Sequence, residues 1–359
     1  MKKAIIAMSG GVDSSVAALL TKESGDDCIG VTMKLFQNDD IGVSKEKSCC
    51  SIDDVEDARA VAYKIGIPYY VLNFTERFRE TVMQRFVDAY RSGSTPNPCI
   101  DCNRWLKFER LFQTMEELSR DYIVTGHYAR IRYDEESGRY LLMKAADLSK
   151  DQSYVLYTLT QNQLAHVRLP LGELRKDEVR SIAAEHGFVN AKKHDSQDIC
   201  FVPDGNYAAF IERFSGIQDV PGDFVDMNGG YIARHKGITH YTIGQRRGLG
   251  VPAASRLYVC EINTERNTVV LGSNEDLFRR ELTAGNVNMI SRERLTEPVR
   301  VHAKIRYRHR EQPATAWQDE DGMLHVRFDE PQRAITKGQA VVMYDGDTVV
   351  GGGVIEKIV

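Results

Sequence analysis

Nowhere in the 359 residues does an apolar run approach the ~18 residues that a membrane-crossing helix needs. There is no internal repeat and no low-complexity linker. Strong charge of one sign is also missing: 47 Lys and Arg stand against 51 Asp and Glu, a net charge of −4, which argues against a wholly basic nucleic-acid coat protein. A local basic groove stays compatible with that balance, because binding depends on patches and not on the sum. Seven cysteines in so long a chain do not make a disulfide scaffold. The N-terminal "MKKAIIAMSGG" has the two lysines of a signal peptide, but its apolar run is too short and leads straight into glycines. These features point to a cytoplasmic protein with reduced thiols, and at roughly 150 residues per domain the length allows two or three domains.

What is present falls into two textures. The first ~200 residues alternate strand-like and helix-like segments. "KAIIAM" (3–8), "CIGVTMKLF" (28–36), "YYVLNF" (69–74) and "DYIVTGH" (121–127) read as strands. Helical spacing runs through 12–25, 53–66, 75–90 and 104–119, with Phe78, Val82, Phe86 and Tyr90 on one stripe. Alternation of this kind predicts a parallel sheet covered on both faces. Past residue 200 glycine punctuation becomes dense. From about Leu282 nearly everything alternates as strand, with Asp321-Gly322 and Asp345-Gly346 as hairpin turns, which predicts a small closed β-barrel.

"AMSGGVDSS" (7–15) lies between the first strand and the first helix. Gly10 and Gly11 let backbone approach an anion. Ser9, Ser14 and Ser15 add hydroxyls, and the helix start offers free N–H groups. Asp13 is placed to hold Mg²⁺. The loop has no lysine of the GxxxxGK[ST] kind and is not GxGxxG. It resembles the SGGxDS signature of the PP-loop ATP pyrophosphatases, which cleave ATP between the α- and β-phosphates and move AMP onto an oxygen. The plain alternative is a glycine-rich turn without a ligand.

What displaces AMP defines such an enzyme. Ammonia would need a glutaminase signature, and none stands out; sulfur would need a reactive cysteine. "TPNPCIDCN" (95–103) carries Cys99 and Cys102, a spacing that alone suits zinc, a redox pair, a cluster corner or a catalytic thiol. Together with "TGHY" (125–128), "LSKDQSYVLYTL" (148–159), "DSQDICFV" (195–202), "YTIGQRRGLG" (241–250) and "GQAVVMYDG" (338–346), it resembles the bacterial tRNA-specific 2-thiouridylases over essentially the whole chain.

That resemblance implies a Rossmann-like PP-loop domain with a parallel sheet over 1–202, a small central domain over 203–277 and an all-β barrel over 278–359. It implies that O2 of wobble uridine 34 in tRNAs for Lys, Glu and Gln is adenylated with ATP and Mg²⁺ and replaced by sulfur from a protein persulfide, the donor being a cysteine desulfurase or sulfur-relay protein. Carried over, Cys200 bears the persulfide, Cys102 attacks it and can end in a disulfide with it, and Asp13 belongs to the catalytic set. Ala7, Met8, Ser9, Gly10, Gly11, Val12, Asp13, Ser14, Met33 and Gly126 meet ATP. Asn97, Pro98 and Cys99 meet the target base, and His127, Lys150, Asp151, Gln152, Arg306, Tyr307 and Gln339 meet tRNA. Another adenylating ligase or amidotransferase is the rival enzyme; an RNA-binding or sulfur-carrier module with a dead loop is the rival without catalysis.

Familiar family members carry aspartate where this chain has Cys99. Three thiols, Cys99, Cys102 and Cys200, could therefore converge, and three thiolates with one open position could also hold a [4Fe–4S] cluster. Persulfide chemistry is the preferred reading. Cys102, just before a helix expected from Asn103, would have its thiolate favoured there. Cys49 and Cys50, adjacent and so poor ligands for one metal, are read as non-catalytic, and Cys28 and Cys260 as buried in strands. "KIRYRHR" (304–310), if a strand, sets Arg306, Arg308 and Arg310 on one face for phosphates; Arg246 and Arg247 suit the same use. The segment around 192–201 is expected to be a loop that swings Cys200 between donor and base.

Overall fold

The computed structural model describes residues 1–41, 49–193, 199–253 and 255–359, and nothing of the side chains of 38, 39 and 49–52. The first part is built on β1 (Lys3–Ala7), α1 (Val12–Glu23), β2 (Asp27–Lys34), α2 (Cys49–Lys64) and β3 (Tyr69–Asn73). A helical stretch runs through Thr75–Phe78, Arg79–Gln84 and Arg85–Arg91. Another joins α3 (Pro98–Asp101), a π-helical segment Cys102–Arg110 and α4 (Leu111–Glu117). Then come β4 (Tyr122–Val124), the hairpin β5 (Arg130–Asp134) and β6 (Arg139–Met143), β7 (Val167–Arg168) and α5 (Lys176–Glu185).

β3, β2, β1, β4 and β7 form a parallel sheet in that order. β1 is the apolar run read from the sequence; Ala4, Ile5 and Ile6 are fully buried because helices cover both faces. The strand order reverses direction of growth between β1 and β4. In open α/β sheets the crevice beyond the C-terminal strand ends at such a switch is where ligands bind.

After α6 (Tyr207–Ser215), four strands, β8 (Gly222–Val225), β9 (Tyr231–His235), β10 (Tyr258–Asn263) and β11 (Thr268–Gly272), form a separate small sheet around Phe224, Tyr241, Val259, Val269 and Leu271. The barrel follows: β12 (Phe278–Met289), β13 (Val299–Lys304), β14 (Gln312–Gln318), β15 (Leu324–Arg333), β16 (Ala340–Asp345) and β17 (Thr348–Ile358). Antiparallel pairing of β12 with β17 closes the six strands, as alternation and the two Asp-Gly turns predict.

Three features depart from the sequence reading. β5 and β6 are antiparallel and attach to the barrel sheet, with Thr348 opposite Met143. β13 stops at Lys304, so 305–310 is a turn region and not a strand; Arg306, Arg308 and Arg310 do not share a strand face. The helix expected from Asn103 already begins at Pro98, which puts Cys102 inside it. Among the described residues no helix is long and apolar enough to cross a membrane.

The barrel and the first part share a core. Tyr154 and Tyr157 pack with Ala340, Val342 and Tyr344. The Tyr154 hydroxyl donates to the Ala340 carbonyl at 2.8 Å, and Asn288 Nδ2 donates to the Tyr157 and Leu159 carbonyls at 2.6 and 2.9 Å.

Candidate active site

The loop from Ala7 to Ser15 turns at the C-terminal end of β1. Ser14 Oγ donates to the Gly11 carbonyl at 3.0 Å and accepts from the Ser9 N–H at 3.1 Å, so its hydroxyl ties the two sides of the turn together. Gly10 has φ +74°, and a Cβ there would collide with the Asp54 carbonyl of α2, so only glycine fits. Gly126, just past β4, lies against the start of α1: a Cβ would come within 2.7 Å of the Ser14 nitrogen and 2.8 Å of the Asp13 carbonyl carbon. Met33, near the end of β2, is part-buried beside both neighbouring cores. The residues expected to meet ATP therefore gather at the switch point.

Several groups that hold this loop have no signal in the local sequence. Asn190 Nδ2 donates to the Gly10 carbonyl and to Ser15 Oγ, both at 2.9 Å. Lys193 Nζ reaches Asp54 and Asp57 at 2.6 Å each, tying α2 to the loop. Lys176 Nζ sits 2.7 and 2.8 Å from the two oxygens of Asp13, and the Tyr128 hydroxyl donates to Asp13 Oδ1 at 2.8 Å. Both carboxylate oxygens are thus engaged. An Mg²⁺ ion there would share Asp13 with these two partners, and no step is derived through that ion.

Asn97 caps α3, its Oδ1 accepting from the Cys99 N–H at 3.2 Å, with Pro98 in the first turn where its missing N–H is harmless. Cys99 occupies that first turn. Cys102 begins the π-helical segment, so the expected help from a helix N-terminus does not reach it. π-winding hydrogen-bonds residue i to i+5 and is frequent at functional sites. In an α-helix, at 3.6 residues per turn, a residue five positions on points well away from the first. Cys102 and Lys107 stand five positions apart in this segment, and Lys107 acts on the Cys102 thiol.

Cys200 is delivered by its neighbours. Ile199 and Phe201 enter the aromatic cluster that also takes Cys102. Phe201 is 1% exposed and meets Phe78 and Phe86 edge-on at 5.6 and 5.3 Å. Residues 194–198 of the expected swinging loop lie outside the described residues, as do the side chains of Cys49 and Cys50.

The three thiols act on one another, and Lys107 acts on all of them. Burial pushes the Cys102 thiol up to about 11, with Lys107 opposing and Cys99 and Asp101 adding to the rise. Burial likewise pushes Cys200 up to about 12, reinforced by Cys102 and Cys99 and opposed by Lys107, and it raises Cys99. Cys99 and Cys200 are exposed as whole residues; the sulfur environment, not the residue average, sets these directions, because the sulfur carries the charge. The electropositive setting expected for Cys102 is outweighed by its burial. Cys28 is buried in β2 and Cys260 part-buried in β10. Among the described residues no group of three or more His, Cys, Asp or Glu is arranged to hold a metal ion. The thiols therefore do not fit a [4Fe–4S] ligand set as they stand.

His127 joins the two halves of the site. Its Nδ1 is 2.7 Å from Thr125 Oγ1 and its Nε2 3.5 Å from Lys107 Nζ. Burial first, then Lys107, holds it well below the ordinary histidine range. A neutral ring with its proton on Nδ1 satisfies both contacts. Gly126 lies against the loop 7–15, and the next residue contacts Lys107, which acts on all three thiols.

The remaining positions expected to meet tRNA cluster at the seam with the barrel. The Tyr307 hydroxyl donates to the Asp151 carbonyl at 3.1 Å, and Arg306 Nη2 donates to the Arg333 carbonyl at 2.9 Å. The Asp151 carboxylate holds the Ala145 and Ser153 N–H groups, and Gln152 Oε1 accepts from the Tyr128 N–H. Lys150 is part-buried in the same turn, its N–H donating to the Asp147 carbonyl. Gln339 Nε2 donates to the Thr95 and Pro96 carbonyls. Arg246, Arg247, Arg308 and Arg310 are exposed.

Residues 2–204 match a family model described as the tRNA methyl transferase HUP domain, 208–273 its PRC-barrel domain, and 279–355 the aminomethyltransferase beta-barrel domain. The chain is 55% identical over 356 residues to the tRNA-specific 2-thiouridylase MnmA of Clostridioides difficile (strain 630), covering 99% of this chain and 98% of that one. The chain belongs to the tRNA-specific 2-thiouridylase family. Other 2-thiouridylases confirm the span: MnmA 1 of Thermoanaerobacter sp. (strain X514) is 53% identical with the same coverage, and MnmA of Clostridium acetobutylicum is 51% identical, covering 99% of both chains.

Proposed function

We propose that this protein is an ATP-dependent tRNA-uridine 2-sulfurtransferase, and that Cys200, Cys102 and the loop 7–14 carry the reaction. O2 of the wobble uridine attacks the α-phosphorus of ATP, the α–β bond breaks and pyrophosphate leaves. The terminal sulfur of a persulfide on Cys200 attacks C2, and the C2–O bond breaks to release AMP. The Cys102 thiolate takes the Cys200 sulfur, the persulfide S–S bond breaks, and sulfur stays on C2. The product is 2-thiouridine and a Cys102–Cys200 disulfide, which an external thiol must reduce. The incoming base must leave its stack to reach this site, and an anticodon loop offers exposed bases. tRNAs for Lys, Glu and Gln are the substrates on this reading, and a cysteine desulfurase or relay protein is the persulfide source.

The observation that carries the proposal is the bridge through Gly126 and His127 between the nucleotide loop and a lysine shared by three thiols. The matched family models speak of methyl transfer, whereas a nucleotide loop beside convergent thiols supports adenylation followed by sulfur attack. Asn97, Pro98 and Cys99, next to the Thr95 and Pro96 carbonyls that Gln339 of the barrel holds, receive the base on this reading, and His127, Lys150 to Gln152, Arg306, Tyr307 and Gln339 contact the tRNA. The test is to purify the protein anaerobically, measure iron and labile sulfide, and supply unmodified tRNA, ATP and a persulfide donor. Iron-free protein that forms 2-thiouridine with one AMP and one pyrophosphate per sulfur is the expected result. Activity that appears only with bound iron would replace the persulfide with cluster chemistry on Cys99, Cys102 and Cys200.

A further inference from the structure

The nucleotide loop has no lysine of its own, although P-loops use one to hold the β- and γ-phosphates. A lysine from 163 residues away in sequence stands beside it. Lys176 opens α5, is 7% exposed, and packs where α5 meets α1. Its ammonium bridges both oxygens of Asp13 at 2.7 and 2.8 Å and lies 5.7 Å over the Tyr128 ring. Its backbone N–H donates to Asp147 Oδ2 at 3.1 Å, which fixes where the helix, and so the lysine, begins.

Removing an ammonium from water is unfavourable, and a well-packed apolar pair often stabilises a core at least as well as a buried ion pair. A lysine placed here suits a task that needs a cation. Asp13 holds the Lys176 ammonium with both of its oxygens, so it is arranged as an anchor for that lysine. Asp13 stands in the first turn of α1, beside Ser14 and close to Gly126, so the ammonium is held at the mouth of the loop.

We propose that Lys176 is the phosphate-binding cation this loop lacks, and that Asp13 acts by holding it. The ammonium has three donors on a flexible stem. One stays on Asp13 while another takes an oxygen of the β-phosphate. As the α–β bond breaks, negative charge grows on that phosphate and leaves with pyrophosphate, and a fixed cation stabilises it. No proton moves in this step. The inference rests on the assignment of residues 7–14 to the nucleotide.

The test uses the full chain and measures equilibrium binding of ATP, AMP and pyrophosphate to the wild type, Lys176→Met, Lys176→Arg and the double variant Asp13→Asn with Lys176→Met. The double variant removes both members of the Asp13–Lys176 ion pair, so the Asp13 carboxylate is not left charged opposite a missing lysine. Loss of a charge-assisted contact predicts about tenfold or weaker binding of ATP and pyrophosphate in both methionine variants. AMP, which lacks the β-phosphate, should bind as before, and Lys176→Arg should recover part of the pyrophosphate affinity. Pyrophosphate affinity unchanged in the double variant, or AMP weakened as much as pyrophosphate, overturns the proposal. Wild-type protein that binds no ATP removes the nucleotide assignment and the proposal together.

Discussion

Gln339 Nε2 donates to the carbonyl of Thr95 at 2.8 Å, so a barrel residue grips the chain just before Asn97, Pro98 and Cys99. The grip is reinforced on both sides. The Thr95 N–H donates to the Lys337 carbonyl at 2.9 Å, and Gly338, at φ +89°, lets Ser94 and Thr95 approach to within 3.2 Å of where a Cβ would stand. The barrel thus sets the position of the stretch proposed to receive the base. Gln339→Ala removes contacts worth about 1 kcal/mol each, so kcat/KM for tRNA should fall roughly three- to tenfold. The KM for ATP should not change, since the loop 7–14, proposed to bind it, is held by other residues. Steady-state thiolation with each substrate varied separately checks this.

The thiols give a pH signature. With Cys102 pushed up to about 11 and Cys200 up to about 12, chiefly by burial, both are protonated in the free protein at neutral pH. Only the thiolate is nucleophilic. Iodoacetamide should therefore modify them slowly at pH 7, with the rate climbing about tenfold per pH unit into the alkaline range. Lys107→Met removes the cation that opposes the rise, so the curve should move to still higher pH. Mass-spectrometric alkylation rates for each cysteine decide the point; a fast reaction near neutrality in the wild type would contradict it.

His127 titrates in the opposite direction. Its folded-state value is depressed, first by burial and then by Lys107. Such a group contributes stability that is present above the unfolded value of about 6.5 and is lost as the pH falls through the folded value. Denaturant midpoints should therefore drop between pH 7.5 and 5, and His127→Gln should flatten that drop. Equal drops in the two proteins would show that acid sensitivity lies elsewhere.

Phe201 pins the residue beside it. Deleting so buried a ring costs about 3–5 kcal/mol in a core, and here the ring packs edge-on against Phe78 and Phe86. Phe201→Ala should lower stability and impair sulfur transfer more than pyrophosphate release, because Cys200 loses its anchor while the loop 7–14 keeps its own. Parallel assays of pyrophosphate and 2-thiouridine on the folded fraction separate the two steps.

The parts legible in the sequence are those whose signal is local. β1 and its loop announce themselves through a short apolar run ending in glycines and serines, and the barrel through alternation broken at Asp321-Gly322 and Asp345-Gly346. The parts that were not legible depend on distant partners. Lys176 and Lys193 reach Asp13, Asp54 and Asp57 across more than 130 residues. π-winding, which relates Lys107 to Cys102, has no periodicity distinct enough to read beside that of an α-helix. The segment 305–310 alternates like a strand, yet Tyr307 bonds to Asp151 and Arg306 to Arg333, and those tertiary contacts turn the chain. Charge, burial and helix position conflict at Cys102, and only the packed structure shows that burial wins.

Everything turns on whether the sulfur at position 200 is the one transferred. Cys200→Ser should be assayed with unmodified tRNA, ATP and a persulfide donor, following pyrophosphate and 2-thiouridine in the same reaction. Continued pyrophosphate release with no 2-thiouridine is the outcome expected; 2-thiouridine formed at the wild-type rate would contradict the assignment.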